Sequence, residues 1–307
     1  MTLPTTALEA LTAAFGDRLL FNEPLARHNS ARIGGPADVF LTARSLDDLR
    51  RAAALAWVHQ MPFKLLGGGS NILISDRGIR GLVIHNQTSE MRVDGTTVTA
   101  DSGVGTITLA RRCIDEGLSG FEWAIGIPGT LGGAVYGNAG AHGGDMAGSL
   151  IEVQVMTPIG EAAMTRDDLA FQYRSSILKR EGLPFVILSV KLGLVPDDPA
   201  AIRSLAEEYN AARKRTQPPG ATLGSMFKNP PGDYAGRLIE AAGLKGTQIG
   251  GAQISDKHAN FFLNTGNATA ADIKALIDLA RERVMVQFGV ELELEIELVG
   301  EWSSEEQ

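Results

Sequence analysis

Glycine is concentrated in one segment of this chain of 307 residues and 36 glycines. Eleven of them lie between Gly117 and Gly148, and the densest run is Gly126 to Gly140. That run interleaves glycine with Ile, Leu, Val and Tyr, which mobile surface loops rarely carry. Glycine permits close approach of the main chain to a partner because it has no Cβ. We therefore predict that this tract contacts a large rigid ligand, with a mobile surface loop as the alternative.

A second glycine-rich loop, Gly67 to Asn71, follows a short apolar run at Phe63–Leu66. Three successive glycines can point their backbone N–H groups into one concavity, which binds an anion such as a pyrophosphate. A Rossmann or P-loop site would require a helix next, whereas the run Ile72–Ile74 is typical of a strand. The loop is therefore either a phosphate cradle between two strands or a tight hairpin turn.

Composition excludes several classes of protein. Hydrophobic residues make up 44% and charged residues 21% of the chain, which is ordinary for a folded protein of about two domains, or three small ones. The formal net charge of −8 argues against a nucleic-acid binder. The single cysteine, Cys113, excludes an internal disulfide and a cysteine-based metal cage, and it indicates a reducing compartment.

Neither a metal site nor a membrane association is indicated. The five histidines are scattered, and no pair has metal-ligand spacing on a helix. No stretch of about 18 apolar residues is present, and the N-terminal segment Met1 to Phe21 lacks the early basic residues of a signal peptide. We therefore expect a cytoplasmic protein with no metal and no membrane contact.

The segment from Arg203 to Arg237 is basic, although the chain as a whole is acidic. Six basic and three acidic residues lie in that segment, a net charge of +3 inside a chain of net charge −8. Such a segment attracts anions. The charge pattern therefore predicts that a phosphorylated ligand binds near it.

The periodicity of apolar residues predicts a mixed chain with several strands for each helix and no doubly wound alternation. Ser45 is a helix N-cap, Asp198-Pro199 is a helix start, Thr269-x-x-Asp272 is a capping signature, and Asp94-Gly95 is a hairpin turn. Helices are predicted from residue 46 to before Pro62 and over 106–116, 199–216, 234–242 and 269–288. Strands are predicted over 63–66, 72–75, 81–84, 150–157, 184–194, 223–227, 251–255, 260–264 and 290–299.

Three short motifs carry groups that could do chemistry. Gly224 to Pro230 offers a hydroxyl, an ammonium and an amide, but Phe227 stands where a nucleophile elbow needs its second glycine. A half-buried strand ending in a turn is the alternative there. Tyr173 to Ser176 could present a guanidinium to a carboxylate, although most arginines are surface charge. Four glutamates alternate from Glu291 to Glu297, which is typical of one solvated strand face.

Taken together, these motifs resemble a known family. Its members are the UDP-N-acetylenolpyruvoylglucosamine reductases, also called UDP-N-acetylmuramate dehydrogenases. The resemblance covers nearly all of the chain from Asn29 to Gly300. The segments that carry it occur in this order: Asn29 to Ala37, Gly67 to Asn71, Gly126 to Gly140, Tyr173 to Ser176, Gly224 to Pro230 and Leu292 to Ile296.

The resemblance implies an α+β chain with an FAD-binding fold of the vanillyl-alcohol-oxidase (PCMH) type in two subdomains. An α/β C-terminal substrate-binding domain follows. The corresponding division is into residues 1–87, 88–205 and 206–307. The short path from Arg174 to Arg213 is similar to that of the family members that lack an inserted tyrosine loop.

The resemblance also implies an activity. NADPH reduces a non-covalently bound FAD, NADP leaves, and the sugar nucleotide enters. The enolpyruvyl ether of UDP-N-acetylglucosamine enolpyruvate is then reduced to a lactyl ether, which gives UDP-N-acetylmuramate for peptidoglycan synthesis. The implied partner is a UDP-sugar, and a monomer is expected.

Carried over residue by residue, the resemblance makes Ser225 the proton donor and gives Arg174 and Glu295 the role of stabilising an enolate-like intermediate. A neutral serine is a poor acid, so a positive neighbour, Lys228, is expected to help it. The residues implied in FAD binding are Gly67, Gly68, Gly69, Ser70, Asn71, Ile127, Pro128, Gly129, Thr130, Gly132, Gly133, Asn138 and Gly140. The residues expected at the substrate are Tyr173, Arg213, Lys214, Arg215, Lys228 and Asn229.

Two positions depart from the pattern of the family. Ser30-Ala31 stands where Thr-Thr is common, beside the flavin region. Glu297 stands two residues beyond Glu295, where a basic residue is usual. The roles of these two positions are therefore left open by the resemblance.

Two other functions also stay open. One is an FAD-dependent oxidase of the same fold that acts on a small alcohol or sugar. The other is a non-catalytic nucleotide-binding relative. The presence of Arg174, Ser225 and Glu295 together argues against the second.

Overall fold

The fold is described by a computed structural model that covers residue 3 and the ranges 5–182 and 184–302. The chain divides into two compact units. Unit 1 contains residues 1–20, 40–68 and 81–213, and unit 2 contains residues 21–39, 69–80 and 214–307. The predicted division into residues 1–87, 88–205 and 206–307 rests on the family resemblance and stays a prediction.

Helices and strands are mixed along the chain, which confirms the predicted α+β class. The helices are α1 (Thr5–Phe15), α2 (Leu46–Val58), α3 (Thr106–Asp115), α4 (Leu131–Tyr136), α5 (Met146–Ser149), α6 (Ile177–Glu181), α7 (Pro199–Thr216), α8 (Ala235–Ala241) and α9 (Ala270–Phe288). Short 3-10 turns lie at Gly16–Arg18, Leu25–His28 and Glu122–Ala124. The strands are β1 (Leu19–Pro24), β2 (Pro36–Ala43), β3 (Phe63–Leu66), β4 (Ile72–Ile74), β5 (Ile79–Asn86), β6 (Met91–Asp94), β7 (Thr97–Asp101), β8 (Leu118–Ser119), β9 (Gly140–Ala141), β10 (Gly144–Asp145), β11 (Leu150–Thr157), β12 (Gly160–Thr165), β13 (Val186–Gly193), β14 (Val195–Pro196), β15 (Ala221–Ser225), β16 (Gln248–Ile249), β17 (Ala252–Ile254), β18 (Phe261–Asn264) and β19 (Glu297–Val299).

Unit 1 is organised by an antiparallel five-stranded sheet of order β12-β11-β13-β7-β6. Along β11, Val153 and Val155 are buried while Gln154 between them is only half-buried, and Ile151 is exposed where the register with β13 shifts. The buried valines share one apolar core with Leu109 and Cys113 of α3. Also in unit 1, β3 pairs with β5 in parallel. The five-stranded sheet and α3 therefore pack together through one apolar core.

Unit 2 is organised by an antiparallel sheet of order β15-β18-β17-β16. Phe262 of β18 belongs to the same apolar core as Leu238 of α8 and Leu276 and Ile277 of α9. A separate parallel pair joins β19 to β4, with Glu297 opposite Ile72. β15 is therefore an edge strand that is fixed by its pairing with β18.

Several local signals in the sequence are confirmed. Ser45 caps α2, since its Oγ accepts a hydrogen bond from the backbone N–H of Asp48 at 3.1 Å. The capping box predicted from Thr269 and Asp272 is present at the start of α9. The hairpin predicted at Asp94-Gly95 joins β6 to β7. Each of these features depends on residues that are near neighbours in the sequence.

The predicted strand over residues 290–299 is wrong over most of its length. A strand forms only at β19, where the chain pairs with β4. Before it, the backbone N–H of Glu295 donates to the carbonyl of Met226 at 2.9 Å. The segment therefore changes partners partway along, which an alternating pattern of apolar and acidic residues does not reveal.

The four glutamates of this segment do not form one solvated face. Glu291 and Glu293 are exposed, whereas Glu295 and Glu297 are half-buried. The backbone partner changes at Glu295, whose N–H donates to Met226 and whose carbonyl accepts from Asn71. Glu295 and Glu297 are therefore not simply solvated surface residues.

Asp76 stabilises the N-terminus of α9 from a distant part of the sequence. Its two carboxylate oxygens accept hydrogen bonds from the backbone N–H groups of Ala270 at 2.8 Å and Ala271 at 3.0 Å. We expect Asp76→Ala to lower the free energy of unfolding by about 1–2 kcal/mol, because two helix-terminal donors lose an anionic acceptor. Urea unfolding monitored by circular dichroism measures this. The control is Glu282→Ala, an exposed position on the same helix, and equal effects of the two variants would contradict the assignment.

Candidate active site

The two glycine-rich segments meet in unit 1. A Cβ placed on Gly67 would lie 2.3 Å from Thr130 Oγ1, and one placed on Gly68 would lie 2.9 Å from Gly129 Cα. Side chains at these two positions would collide with the other segment. The two motifs that the sequence presents separately therefore form one main-chain surface with few side chains.

The glycine tract is fixed to the body of unit 1 by hydrogen bonds. The backbone N–H of Leu131 donates to the carbonyl of Val104 at 2.8 Å, and the hydroxyl of Thr106 donates to the carbonyl of Ile127 at 2.5 Å. Leu131 and Val135 of α4 are buried. The apolar residues interleaved with the glycines therefore anchor the tract, as their pattern indicates.

Asn138 holds the end of this tract. It is buried and has a positive φ of 43°. Its side-chain amide donates to the carbonyl of Gln172 at 3.1 Å, and its Oδ1 accepts from the backbone N–H of Ala147 at 3.1 Å. The side chain thus links the glycine tract to the segment that precedes Tyr173. A direct contact of Asn138 with a cofactor stays a prediction.

Tyr173 and Arg174 lie at the tip of a tight turn in unit 1. The backbones of Gln172 and Ser175 donate to each other's carbonyls at 2.9 and 3.1 Å, which closes the turn. Arg174 adopts a positive φ of 55°, and its guanidinium carbon lies 5.4 Å from the centroid of the Tyr173 ring. Tyr173 is exposed and Arg174 is half-buried. The turn therefore presents a cation with a fixed backbone.

Arg213 is the second cation of this region. A Cβ placed on Gly126 would lie 3.2 Å from Arg213 Cδ, so the side chain lies against the first glycine of the tract. Burial lowers the pKa of Arg213, and the positive charge of Arg174 lowers it further. Two guanidinium groups held close enough to repel each other are an arrangement that an anion relieves. The region therefore favours a carboxylate or a phosphate.

His142 and Tyr209 form a stacked pair beside this cluster. Their rings are 4.2 Å apart and nearly parallel, at 4°. Burial lowers the pKa of His142, and the charge of Arg213 lowers it further. The imidazole is therefore neutral at pH 7, and it packs on the helix turn that precedes Arg213. The sequence gives no signal for this pair, because its two members lie on distant segments.

In unit 2, Ser225 lies at the last position of β15, after an irregularity in the strand. β15 pairs Thr222 with Leu263 and then shifts register so that Ser225 faces Phe261. Gly224, directly before Ser225, has a φ of 79°, which favours glycine. Such bulges re-aim a side chain. Ser225 is half-buried.

Glu295 lies next to the segment that follows Ser225. Its backbone N–H donates to the carbonyl of Met226 at 2.9 Å, and its own carbonyl accepts from the side-chain amide of Asn71 at 3.1 Å. The carbonyl of Asn71 in turn accepts from the backbone N–H of Glu297 at 3.0 Å. Unit 2 therefore connects Met226, the residue after Ser225, through Glu295 to Asn71 of the glycine loop by hydrogen bonds.

The remaining predicted residues are distributed differently. The ammonium of Lys228 pairs with the carboxylate of Glu293, so it is engaged away from the serine that it is expected to help. Asn229 Oδ1 accepts from the backbone N–H of Ala235 at 3.1 Å, at the start of α8. Lys214 and Arg215 are exposed in the last turn of α7, an element that carries neither Ser225 nor Glu295.

Metal and thiol chemistry find no support in the described part of the chain. No group of three or more His, Cys, Asp or Glu residues within it could hold a metal ion. Burial raises the pKa of the Cys113 thiol to about 12, so this cysteine is a core residue and not a nucleophile. Among the same residues, no helix is long and apolar enough to cross a membrane.

Comparisons with known proteins agree with this geometry. Residues 37–165 match the family model described as an FAD binding domain, and residues 216–299 match the C-terminal domain of UDP-N-acetylenolpyruvoylglucosamine reductase. The first range contains the glycine segments of unit 1, and the second contains Ser225 and Glu295.

Curated relatives match most of the chain. A protein of Symbiobacterium thermophilum named UDP-N-acetylenolpyruvoylglucosamine reductase 2 is 45% identical over 286 residues, which cover 91% of each chain. The reductase of Chloroflexus aggregans is 43% identical and covers 91% of this chain and 96% of its own. A crystal structure of the reductase from Thermus caldophilus has a TM-score of 0.78 at 34% identity, with coverage of 91% and 97%.

The fold and the site define a flavoprotein oxidoreductase that binds FAD, which confirms the FAD-binding fold of the vanillyl-alcohol-oxidase type expected from the sequence. The residues of unit 1 fit this cofactor, because Gly67, Gly68 and the Gly129–Thr130 segment offer main chain where side chains cannot stand. The chain belongs to the UDP-N-acetylenolpyruvoylglucosamine reductase family. Its place is therefore in peptidoglycan precursor synthesis.

Proposed function

We propose that this protein uses NADPH to reduce the enolpyruvyl ether of UDP-N-acetylglucosamine enolpyruvate to the lactyl ether of UDP-N-acetylmuramate. The names of the curated relatives support the substrate. The observation that carries the proposal is the 2.9 Å hydrogen bond from the backbone N–H of Glu295 to the carbonyl of Met226. Met226 directly follows the candidate acid, Ser225. The hydrogen bond therefore fixes the backbone next to Ser225 against the backbone of Glu295, the candidate carboxyl residue.

FAD, when bound, supplies the hydride that the β-carbon of the substrate receives. The main-chain surface of Gly67, Gly68 and the Ile127–Gly140 tract would hold it in unit 1. We propose Gly69, Ser70 and Asn71, which follow Gly68 directly in the sequence, as further contacts of the cofactor. Main chain suits this task, because backbone N–H groups can approach a pyrophosphate closely.

Arg174 binds the carboxylate of the enolpyruvyl group in this proposal. Its guanidinium is permanently charged and planar, so it can donate two parallel hydrogen bonds to a carboxylate. The charge of Arg213 beside it strengthens the preference for an anion. Negative charge that develops toward the carboxylate during hydride transfer is therefore met by a fixed cation.

Ser225 donates its proton to the α-carbon, and Glu295 in its protonated form donates a hydrogen bond to the developing charge. Loss of the serine proton leaves an alkoxide, which a positive neighbour would stabilise. Lys228 can fill this role only if its ammonium leaves Glu293. That pair is weak enough to exchange, since 71% of the Glu293 side chain is exposed.

The uridine diphosphate is assigned to the remaining polar residues. We propose Tyr173, Arg213, Lys214, Arg215, Lys228 and Asn229 as its contacts. The net charge of +3 between Arg203 and Arg237 supports an anionic ligand in this region.

The test is an assay of the purified protein. We expect a yellow flavin spectrum, release of FAD on denaturation, and NADPH oxidation that requires UDP-N-acetylglucosamine enolpyruvate. Flavin that stays attached after denaturation, together with turnover of a small alcohol or sugar, would favour the oxidase alternative. Flavin binding with no NADPH consumption would favour a non-catalytic relative.

Gly133 offers a direct test of the FAD contact. A Cβ at this position would meet only Thr130 Oγ1, at an ordinary distance of 3.6 Å, so the fold tolerates alanine there. We expect Gly133→Ala to weaken FAD binding by about tenfold or more, because the methyl group intrudes between main chain and cofactor. Fluorescence titration of the apoprotein with FAD measures this.

The matched control is Gly148→Ala in α5. A Cβ at Gly148 also meets one atom at 3.6 Å, Asp145 Oδ1, and this position lies outside the predicted cofactor contacts. Its FAD affinity should equal that of the wild type. Unchanged affinity in Gly133→Ala would remove that glycine from the cofactor surface.

A further inference from the structure

We propose that Asn260 is a positioning residue for the catalytic pair Ser225 and Glu295. Its buried side-chain amide takes the place of a neighbouring strand where β15 loses its regular partner. This inference rests on the proposed function, because it concerns the delivery of the proton to the substrate.

Asn260 forms hydrogen bonds with Met226 and Phe227, the two residues that follow Ser225. Its Oδ1 accepts from the backbone N–H of Phe227 at 3.0 Å, and its Nδ2 donates to the carbonyl of Phe227 at 2.8 Å. Its own backbone carbonyl accepts from the N–H of Met226 at 2.8 Å. Only 3% of Asn260 is exposed. The amide therefore pairs with both polar groups of one peptide residue, as a strand neighbour would.

The break in β15 explains why such a partner is needed. The regular register with β18 ends at the shift between Thr222 and Ser225. Phe227 lies beyond it and is fully buried. An unpaired backbone N–H or carbonyl in that position would give up its hydrogen bonds to water without a replacement, which destabilises the fold. The side chain of Asn260 satisfies both groups.

The opposite edge of the same segment carries Glu295. Met226 accepts the backbone N–H of Glu295 at 2.9 Å, and Lys228 donates to the carbonyl of Glu293 at 2.9 Å. Residues 226–228 therefore lie between Asn260 on one side and residues 293–295 on the other. A shift of residues 226–228 would move Ser225 and the backbone of Glu295 together.

The residue type follows from this arrangement. One planar group must donate and accept at fixed spacing, which asparagine does. Aspartate has the same shape but accepts only when it is ionised, so one of its oxygens would oppose the carbonyl of Phe227. Protonated aspartate regains a donor. The variant Asn260→Asp therefore removes and, at lower pH, restores the proposed contact without changing side-chain size.

Asn264 provides a matched control. It is the last residue of β18, the strand that Asn260 directly precedes; its Nδ2 donates to the carbonyl of Ala31 at 2.9 Å, and its Oδ1 accepts from the backbone N–H of Gly266 at 2.8 Å. Asn264→Asp thus loses a comparable amide-to-carbonyl hydrogen bond away from residues 226–228. A purely structural effect would appear in both variants.

The experiment compares the two half-reactions by stopped-flow absorbance of the flavin. We expect Asn260→Asp to slow reoxidation by substrate by about 10- to 100-fold, with reduction by NADPH unchanged. The defect relative to the wild type should shrink as pH falls from about 9 to about 6, because burial raises the pKa of the introduced carboxyl group. Asn264→Asp should leave both half-reactions at the wild-type rate.

Asn260→Gln is the second variant if Asn260→Asp does not fold. It keeps the donor and the acceptor but displaces them by one methylene, and it should slow reoxidation alone. Equal reoxidation rates in wild type and Asn260 variants, or equal defects at Asn260 and Asn264, would overturn the positioning role. Failure of the wild type itself to be reoxidised by the substrate would instead overturn the proposed function.

Discussion

Replacement of Ser225 by alanine should lower substrate-dependent NADPH oxidation by about 10²–10⁴-fold. A positioned proton donor contributes this much, and alanine leaves no group to take its place. The half-buried Ser225 follows Gly224, which has a positive φ, at the register shift of β15. The backbone geometry therefore sets the position of the serine side chain. Reduction of the flavin by NADPH should keep its wild-type rate, because that step needs no proton from Ser225.

Steady-state kcat and stopped-flow flavin spectra together measure this effect. Thr222→Val on the same strand is the control. Thr222 Oγ1 is buried, and no hydrogen-bond partner exists for it among the described residues, so its removal should leave kcat and stability at or above the wild-type value. Full activity in Ser225→Ala would remove the serine from its role and would leave the source of the proton to another group.

Sequence reasoning succeeds in this protein where a feature depends on near neighbours. The capping box of Thr269 and Asp272 and the Asp94-Gly95 hairpin are both defined by residues within three positions of each other. Their free energies are local, so the pattern alone predicts them. The glycine tract is a similar case, because its interleaved Leu131 and Val135 predict a packed segment and both are buried.

Features that depend on residues far apart in the sequence could not be predicted from its local patterns. The alternation over residues 290–299 satisfies every local criterion for a strand, yet the backbone there bonds first to residues 226–228 and then to Asn71. The amide of Asn260 reaches Phe227 across 33 residues of sequence, and Asp76 reaches α9 across 194. Periodicity carries no information about such pairs.

The candidate site divides in the same way. Resemblance to a family supplies Arg174, Ser225 and Glu295, whereas residue types alone would leave each as a surface charge or a turn residue. Only the structure shows that burial and the charge of Arg174 lower the pKa of Arg213, and that the Lys228 ammonium pairs with Glu293. The largely buried guanidinium of Arg213 and the fixed turn that carries Arg174 are therefore the structural reason to assign an anion to unit 1.

Replacement of Arg174 by methionine should lower kcat/KM for the sugar nucleotide by about 10²–10³-fold, the usual cost of losing a preorganised donor to a developing charge. Methionine keeps the length and apolar body of the side chain and adopts the same positive φ at a similar cost, so the turn at Tyr173 is retained. Flavin reduction by NADPH should be unaffected. Arg174→Lys should recover part of the loss, because it keeps the charge but not the planar fork.

The control for lost positive charge is Arg166→Met, since Arg166 is exposed in unit 1 and pairs only loosely with Asp167, at 3.6 Å. Its kcat/KM should match the wild type. The two arginine variants together separate charge from geometry at the anion site. A wild-type kcat/KM in Arg174→Met would remove Arg174 from the carboxylate site and would leave Arg213 as the candidate cation there.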